Sequence, residues 1–140
     1  MAVDRLLVDV NIFMDVAFDR EPHAEASMKV LSLIENKQAR GIVSAVSYPI
    51  FYYFLRKSIG IRQARGYLED LIQLFDVAPV GEETLLEALE SPLEDFEDGI
   101  QLACAQKAKA DYIVTRNIRH FRKSPIRALA PAEYLALKQN

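Results

Sequence analysis

The chain has 140 residues, a net charge of −3 and a hydrophobic fraction of 51%, which indicates one globular domain over residues 1–140 and excludes a disordered chain. Its apolar runs are far shorter than the roughly 18 residues that a membrane span requires, and its N-terminal residues do not have the pattern of a secretory leader. The single cysteine excludes an internal disulfide. We therefore expect a cytoplasmic protein without a membrane segment.

Short apolar runs alternate with stretches of helical periodicity along the chain. The predicted strands cover residues 6–9, 41–45, 75–80, 111–115 and, more weakly, 126–129. The predicted helices cover residues 12–18, 23–38, 48–55, 62–73, 82–90, 96–109 and 131–137. Alternation of this kind predicts an α/β fold, with a parallel sheet of four to five strands and helices on both faces.

Polar residues follow the first and fourth predicted strands at the point where each strand ends. Asp9 and Asn11 follow the first strand, and Thr115 and Asn117 follow the fourth. Ligands of open α/β sheets bind outside the carboxyl ends of the strands. If these two strands are neighbours, Asp9, Asp98 and Asn117 can converge there. The alternative is that Asp9 or Asn11 only caps the next helix.

The stretch Asp95-Phe96-Glu97-Asp98 opens the sixth predicted helix. Residues 95 and 98 are three apart, so both carboxylates project to one face at the helix N-terminus. One interpretation is helix capping by Asp95, with Asp98 complementing the helix dipole. The other is a cation site, because Mg²⁺ and Mn²⁺ prefer oxygen ligands. The sequence leaves both interpretations open.

The charges of the chain are distributed unevenly around these residues. Acidic side chains dominate residues 82–98, and six basic side chains crowd into residues 116–127, among them Arg116 and Arg119. An acidic pocket beside a basic strip suits a cation that acts on a phosphate backbone. The alternative is a solvated loop of mixed charge. The sequence has neither a dinucleotide-binding nor a nucleotide-phosphate glycine motif, and no Cys/His spacing of a zinc site.

Three segments of the chain together resemble the PIN domain, the nuclease fold of VapC-type toxins. They are Leu7-Val8-Asp9-Val10-Asn11, Asp95-Phe96-Glu97-Asp98 with Gln101-Leu102-Ala103, and Ile113-Val114-Thr115-Arg116-Asn117 with Phe121. The resemblance implies a three-layer α/β/α sandwich, a ribonuclease that depends on Mg²⁺ or Mn²⁺, frequent homodimers, and a possible antitoxin partner.

The resemblance also implies roles for individual residues. Asp9 and Asp98 are the expected core metal ligands, Asp95 is a further acid of the site, and Asn11 and Thr115 are supporting polar residues. The predicted catalytic group consists of Asp9, Asp95, Asp98 and Asn117. Arg116 and Arg119 are candidates for binding the RNA backbone.

Two positions depart from the family pattern. The family usually has a glutamate in the helix after the second strand, where this chain has Ile50, and an aspartate after the fourth-strand threonine, where this chain has Asn117. The loss of two negative charges should weaken metal binding. The alternatives are therefore a catalytically degenerate RNA-binding module and a protein-interaction module, for which the aromatic helix of residues 48–55 would be the interface.

Overall fold

The computed structural model of the protein describes residues 2–139. The end positions of the predicted domain, Met1 and Asn140, lie outside the described residues. The strands are β1 Asp4–Val8, β2 Ala39–Ser44, β3 Asp76–Ala78, β4 Tyr112–Val114 and β5 Ala128–Leu129. The helices are α1 Val10–Ala17, α2 Ala24–Glu35, α3 Ser47–Leu74, α4 Glu82–Glu90, α5 Phe96–Lys107 and α6 Pro131–Lys138, with a 3₁₀ helix at Ile118–Phe121.

The five strands form one parallel sheet in the order β3-β2-β1-β4-β5. The first strand of the chain is therefore the central one, and Leu7 pairs with Ile42 on one side and with Ile113 on the other. Because the strands are parallel, all of their carboxyl ends lie at one edge of the sheet. This confirms the predicted fold class, and it shows that the first and fourth strands are neighbours, the condition under which Asp9 and Thr115 can converge.

Side chains that alternate along the strands separate two hydrophobic cores. Leu6 and Val8 point into a core with α1, α2, α3 and α6. Leu7 points to the opposite face, where it joins a core with α4 and α5. Both faces of the sheet are thus covered by helices, which explains why the strands are continuously apolar. The result is the three layers of an α/β/α sandwich.

The two helices predicted on either side of Gly60 meet end to end in α3. The backbone at Gly60 is not helical, and it separates two helical segments by a kink. The φ angle of Gly60 is 85°, in a region that glycine adopts without the steric cost of a Cβ atom. The predicted break between two helices at this glycine is therefore confirmed.

The bounds of α2 differ slightly from the prediction. The helix predicted over residues 23–38 spans Ala24–Glu35, and Pro22 lies in the preceding turn. Within residues 2–139, no helix is both long and apolar enough to cross a membrane.

Candidate functional site

Asp9 occupies the first position after the central strand, at the carboxyl edge of the sheet. It is the N-cap residue of α1, yet its side chain makes no capping hydrogen bond. Instead, Oδ2 of Asp9 accepts a hydrogen bond of 2.9 Å from Oγ1 of Thr115, and a longer one of 3.5 Å from Nδ2 of Asn11. The structure thus brings together Asp9 and the two predicted supporting residues, and the capping interpretation does not account for this carboxylate.

The carboxylate of Asp9 lies in a shielded environment. The residue is 8% exposed, and burial raises its pKa, against the opposing effect of the hydrogen bonds from Thr115 and Asn11. Burial raises the pKa of an acid because the charged form loses hydration. A bound cation would replace the lost hydration of the Asp9 carboxylate with a direct electrostatic attraction.

The beginning of α5 carries the second group of acids. Asp95 is the N-cap of α5, and its Oδ1 accepts a hydrogen bond of 2.9 Å from the backbone N–H of Asp98. The capping interpretation is therefore correct for Asp95. The side chain of Asp98 takes no part in that cap. Burial and then the charge of Asp95 raise the pKa of Asp98 to about 6, with smaller contributions from Asp9 and Glu97.

The charge of Asp9 acts on two acids at the beginning of α5. The charge of Asp9 raises the pKa values of both Asp98 and Glu97. Glu97 was not among the predicted site residues, although it lies inside the acidic run that opens α5. Its pKa is raised by burial first, and then by the charges of Asp95 and Asp9. The carboxylate that follows β1 and those at the beginning of α5 therefore repel one another.

A cleft of about 400 Å³ opens between the start of α5 and the 3₁₀ helix. Asp95 and Asp98 line the acidic wall, and the basic side chains line the opposite one; these are Arg119, His120, Arg122 and Lys123. Nδ1 of His120 lies 3.3 Å from Oδ2 of Asp98. His120 was not predicted as a site residue. The sequence feature that could have indicated His120 is its position three residues after Asn117. The 3₁₀ turn brings His120 over the cleft.

The segment after β4 joins the cleft to Asp9. Thr115 is completely buried, and its Oγ1 both donates to Asp9 and accepts a hydrogen bond of 3.0 Å from the backbone N–H of Asn117. Asn117 then becomes the N-cap residue of the 3₁₀ helix. The hydroxyl group of Thr115 is therefore hydrogen-bonded both to Asp9, a predicted metal ligand, and to Asn117, which precedes the basic wall of the cleft.

Arg116 lies between these two residues but points to a different group. Its Nε donates a hydrogen bond of 2.7 Å to Oδ2 of Asp15, which is completely buried. Asp15 was not identified from the sequence. The sequence does contain an indication, since Asp15 is a lone acid within the apolar run Ile12-Phe13-Met14-Asp15-Val16. A buried aspartate needs a partner, so such a position predicts a buried ion pair. Of the two arginines predicted to bind RNA, Arg119 lines the cleft, whereas Arg116 is hydrogen-bonded to Asp15.

A buried amide lies one helical turn beyond Asp98. Nε2 of Gln101 donates a hydrogen bond of 3.2 Å to Oγ of Ser47, the first residue of α3. Gln101 is 2% exposed, and its Oε1 has no hydrogen-bond partner within residues 2–139. Ile50, which stands where the family pattern has a glutamate, is partly buried and packs against the core beneath α3.

The oxygen donors of this site fit a divalent cation that keeps most of its water ligands better than a cation that is enclosed by protein side chains. In the described part of the chain, no three His, Cys, Asp or Glu side chains converge closely enough to hold a metal by themselves. Mg²⁺ commonly uses one or two carboxylates and retains several waters. Asp9 and Asp98, both with raised pKa values, are two carboxylates that could hold such an ion.

Solved structures of several bacterial proteins share this fold. A toxin–antitoxin complex from Klebsiella pneumoniae matches with a TM-score of 0.69 and 21% identity, over 90% of this chain and 97% of that one. VapBC2 from Rickettsia felis, bound to a DNA fragment from its promoter, matches with a TM-score of 0.66 and 15% identity, over 90% and 98% of the two chains. VapC20 of Mycobacterium tuberculosis, a toxin that cleaves the sarcin–ricin loop, matches with a TM-score of 0.61 and 14% identity, over 77% and 86%.

At these identities, the structural similarity concerns the fold alone. No curated protein matches the chain by sequence. The family model described as the PIN domain, in contrast, matches residues 5–119, a range that begins in the central strand and includes Asp9, Asp98 and Asn117. The chain belongs to the PIN domain family.

Proposed function

We propose that this protein is an endoribonuclease that hydrolyses RNA phosphodiester bonds with the help of Mg²⁺ or Mn²⁺. The observation that supports the proposal is that Asp9 lies buried directly after the central strand, that Asp98 lies partly buried in the first turn of α5, and that the charge of Asp9 raises the pKa of Asp98. Carboxylates with raised pKa values in a cleft are typical of functional sites.

Asp9 and Asp98 would hold the cation, and Asp95 would add negative charge from the first turn of α5. When bound, such an ion lowers the pKa of a water molecule and offsets the negative charge that develops on the phosphate. The cation would also relieve the repulsion between the acids. Thr115 and Asn11 hold the carboxylate of Asp9 in place through the hydrogen bonds described above.

The basic wall of the cleft supplies the RNA-binding part of the proposal. Arg119, Arg122 and Lys123 line the cleft opposite the acids, so a phosphate group entering it would lie between positive side chains and the proposed ion. Asn117 precedes this wall and presents an amide in place of the aspartate of the family pattern. Contacts of this kind bind the phosphate backbone regardless of base sequence.

We further propose that the protein acts as the toxin of a toxin–antitoxin pair, as one domain over residues 1–140. The support is its fold, which is similar to that of proteins solved as toxin–antitoxin complexes. An antitoxin protein would then be a partner, and a homodimer is the proposed assembly. Size measurement of the purified chain, alone and coexpressed with the protein encoded beside it, tests both statements.

The activity is tested by cleavage of labelled RNA in Mn²⁺, in Mg²⁺ and in EDTA. A single-stranded RNA and a structured stem-loop should both be used, because one protein of this fold cleaves the sarcin–ricin loop. We expect cleavage that needs the metal and is lost in Asp98→Asn. Asp70→Asn is the matched control, since Asp70 is an exposed aspartate in the second half of α3. Full activity of a folded Asp98→Asn variant would refute the proposal.

Two observations support a second candidate, an RNA-binding module without catalysis. Ile50 and Asn117 replace two acids of the family pattern, and the described residues contain no preformed cluster of three metal-binding side chains. This candidate predicts RNA binding that weakens with salt but is the same in Mn²⁺ and EDTA. Calorimetric titration with Mn²⁺ distinguishes the two functions, because only the nuclease should bind the ion.

A further inference from the structure

Arg116 takes part in a buried polar cluster that lies outside the cleft. The cluster is centred on Asp15 of α1, which is 0% exposed. Oδ2 of Asp15 accepts hydrogen bonds from Nε of Arg116 at 2.7 Å and from Oγ of Ser27 at 3.4 Å, and Oδ1 lies 4.0 Å from the guanidinium of Arg20. Because a buried carboxylate is costly without partners, this cluster fixes the direction of the Arg116 side chain.

The backbone on either side of Arg116 carries the contacts that organise the site. Thr115 donates its hydroxyl proton to Asp9, and the same oxygen accepts the backbone proton of Asn117. Arg116 is the residue between them, and it is anchored to a different layer of the protein, 101 positions earlier in the sequence. A change in the direction of Arg116 would therefore move both neighbours.

We infer that Arg116 is a positioning residue, whose bond to Asp15 holds the Thr115–Asn117 turn against Asp9, and that it does not grip the RNA backbone. This inference rests on the proposed function for its effect on metal and RNA. It assigns the two arginines of the basic segment to different tasks. Arg119 lines the cleft, whereas Arg116 has its Nε–H directed to a carboxylate that no RNA can reach.

The chain offers variants that separate the charge of Arg116 from its hydrogen bond. Glutamine places its amide nitrogen as many bonds from the backbone as Nε of arginine, so Arg116→Gln removes the charge but keeps a donor for Asp15. Arg116→Met removes both. Asp15→Leu removes the acceptor from a position with no exposure. The double variant Asp15→Leu/Arg116→Met should fold, because apolar replacement of a buried ion pair is often neutral or stabilising.

Three quantities are measured for each variant: Mn²⁺ affinity by calorimetry, kcat at saturating RNA, and the salt dependence of RNA binding in EDTA. We expect Arg116→Met, Asp15→Leu and the double variant to lose Mn²⁺ affinity and kcat to a similar extent, about tenfold, as residues behind a metal ligand do. Arg116→Gln should lose clearly less than Arg116→Met, because it keeps the hydrogen bond to Asp15. None of them should change the slope of log K against log salt.

Arg119→Gln is the control for a phosphate contact. It should lower the salt slope by about 0.7, the value for one contact to a single strand, and leave Mn²⁺ affinity unchanged. If Arg116→Gln lowers the slope by the same amount while Asp15→Leu binds Mn²⁺ as wild type does, the inference is overturned and Arg116 is an RNA contact.

A readout on the metal-free protein separates failure of the inference from failure of the proposed function. The backbone proton of Asn117 is donated to Thr115, so its hydrogen exchange reports whether the turn is held in place. We expect faster exchange in Arg116→Met and Asp15→Leu, and exchange close to wild type in Arg116→Gln. Unchanged exchange in all variants overturns the inference even if the wild type neither binds Mn²⁺ nor cleaves RNA. Absence of Mn²⁺ binding in the wild type overturns the proposed function instead.

Discussion

Removal of the Asp98 charge should stabilise the metal-free protein. Burial and the charge of Asp95 raise the pKa of Asp98 from its ordinary value of 3.8 to about 6, so the folded state binds this proton more tightly than the unfolded state. The contribution to stability is complete below pH 3.8 and is lost as the pH rises through about 6. At pH 7.5 the ionised carboxylate therefore destabilises the fold, and Asp98→Asn removes that effect.

The magnitude follows from the difference between the two pKa values. A difference from 3.8 to about 6 corresponds to about 3 kcal/mol at most, and water around a partly exposed side chain reduces this to about 1–2 kcal/mol. For a chain of this size, we expect Asp98→Asn to raise Tm by about 3–7 °C at pH 7.5. The variant keeps the capping bond, because Asp98 donates that bond from its backbone.

Thermal unfolding in EDTA at pH 4 and at pH 7.5 measures the effect, with Asp70→Asn as the control. The gain in Tm should be present at pH 7.5 and shrink towards pH 4. Addition of Mn²⁺ should reverse the order, because the cation stabilises the wild type and not the variant. A variant that is less stable than wild type at pH 7.5 in EDTA would refute the reasoning, since Asp98 would then be a structural carboxylate.

Substitutions at three further positions test separate contacts in and beside the site. Asp95→Ala should cost about 0.5–2 kcal/mol through the lost cap, whereas Asp95→Asn should keep the cap and most of the stability; urea unfolding compares the two. Thr115→Val keeps the shape of a fully buried side chain but removes the hydrogen bond to Asp9, so we expect a loss of about 1 kcal/mol or more and weaker Mn²⁺ binding by calorimetry. A Cβ atom at Gly99 would lie 2.7 Å from the backbone oxygen of Ala88, so Gly99→Ala should cost about 1–3 kcal/mol in urea unfolding. Equal stability of wild type and this last variant would show that α5 shifts freely against α4.

The sequence predicted the fold and the family because both depend on local patterns. Apolar runs alternate with helical periodicity, which predicts a parallel sheet with right-handed crossovers, whereas the order of the strands comes from the structure. The positions of Asp9 and Thr115 could be predicted for the same reason, since each directly follows a buried strand. Their convergence needed only that β1 and β4 be neighbours, which the register of Leu7 with Ile113 confirms.

Other features depend on contacts between distant parts of the chain. The bond between Arg116 and Asp15 joins residues 101 positions apart, and no spacing in the sequence distinguishes Arg116 from Arg119. The hydrogen bond between Gln101 and Ser47 is also long-range, across 54 positions. These pairs arise from the packing of helices on the sheet, which sequence patterns do not specify. The roles of the predicted site residues stay predictions that the experiments above decide.

The central position of the first strand has a consequence for synthesis of the protein. Asp9 is synthesised before its partner Thr115, which lies 106 positions later, and the neighbouring strand β4 is made just before Thr115. A nascent chain that ends before Thr115 can form β1 and β2 but cannot complete the pocket around Asp9. The proposed nuclease would therefore stay inert until the segment after β4 has emerged and packed against the central strand.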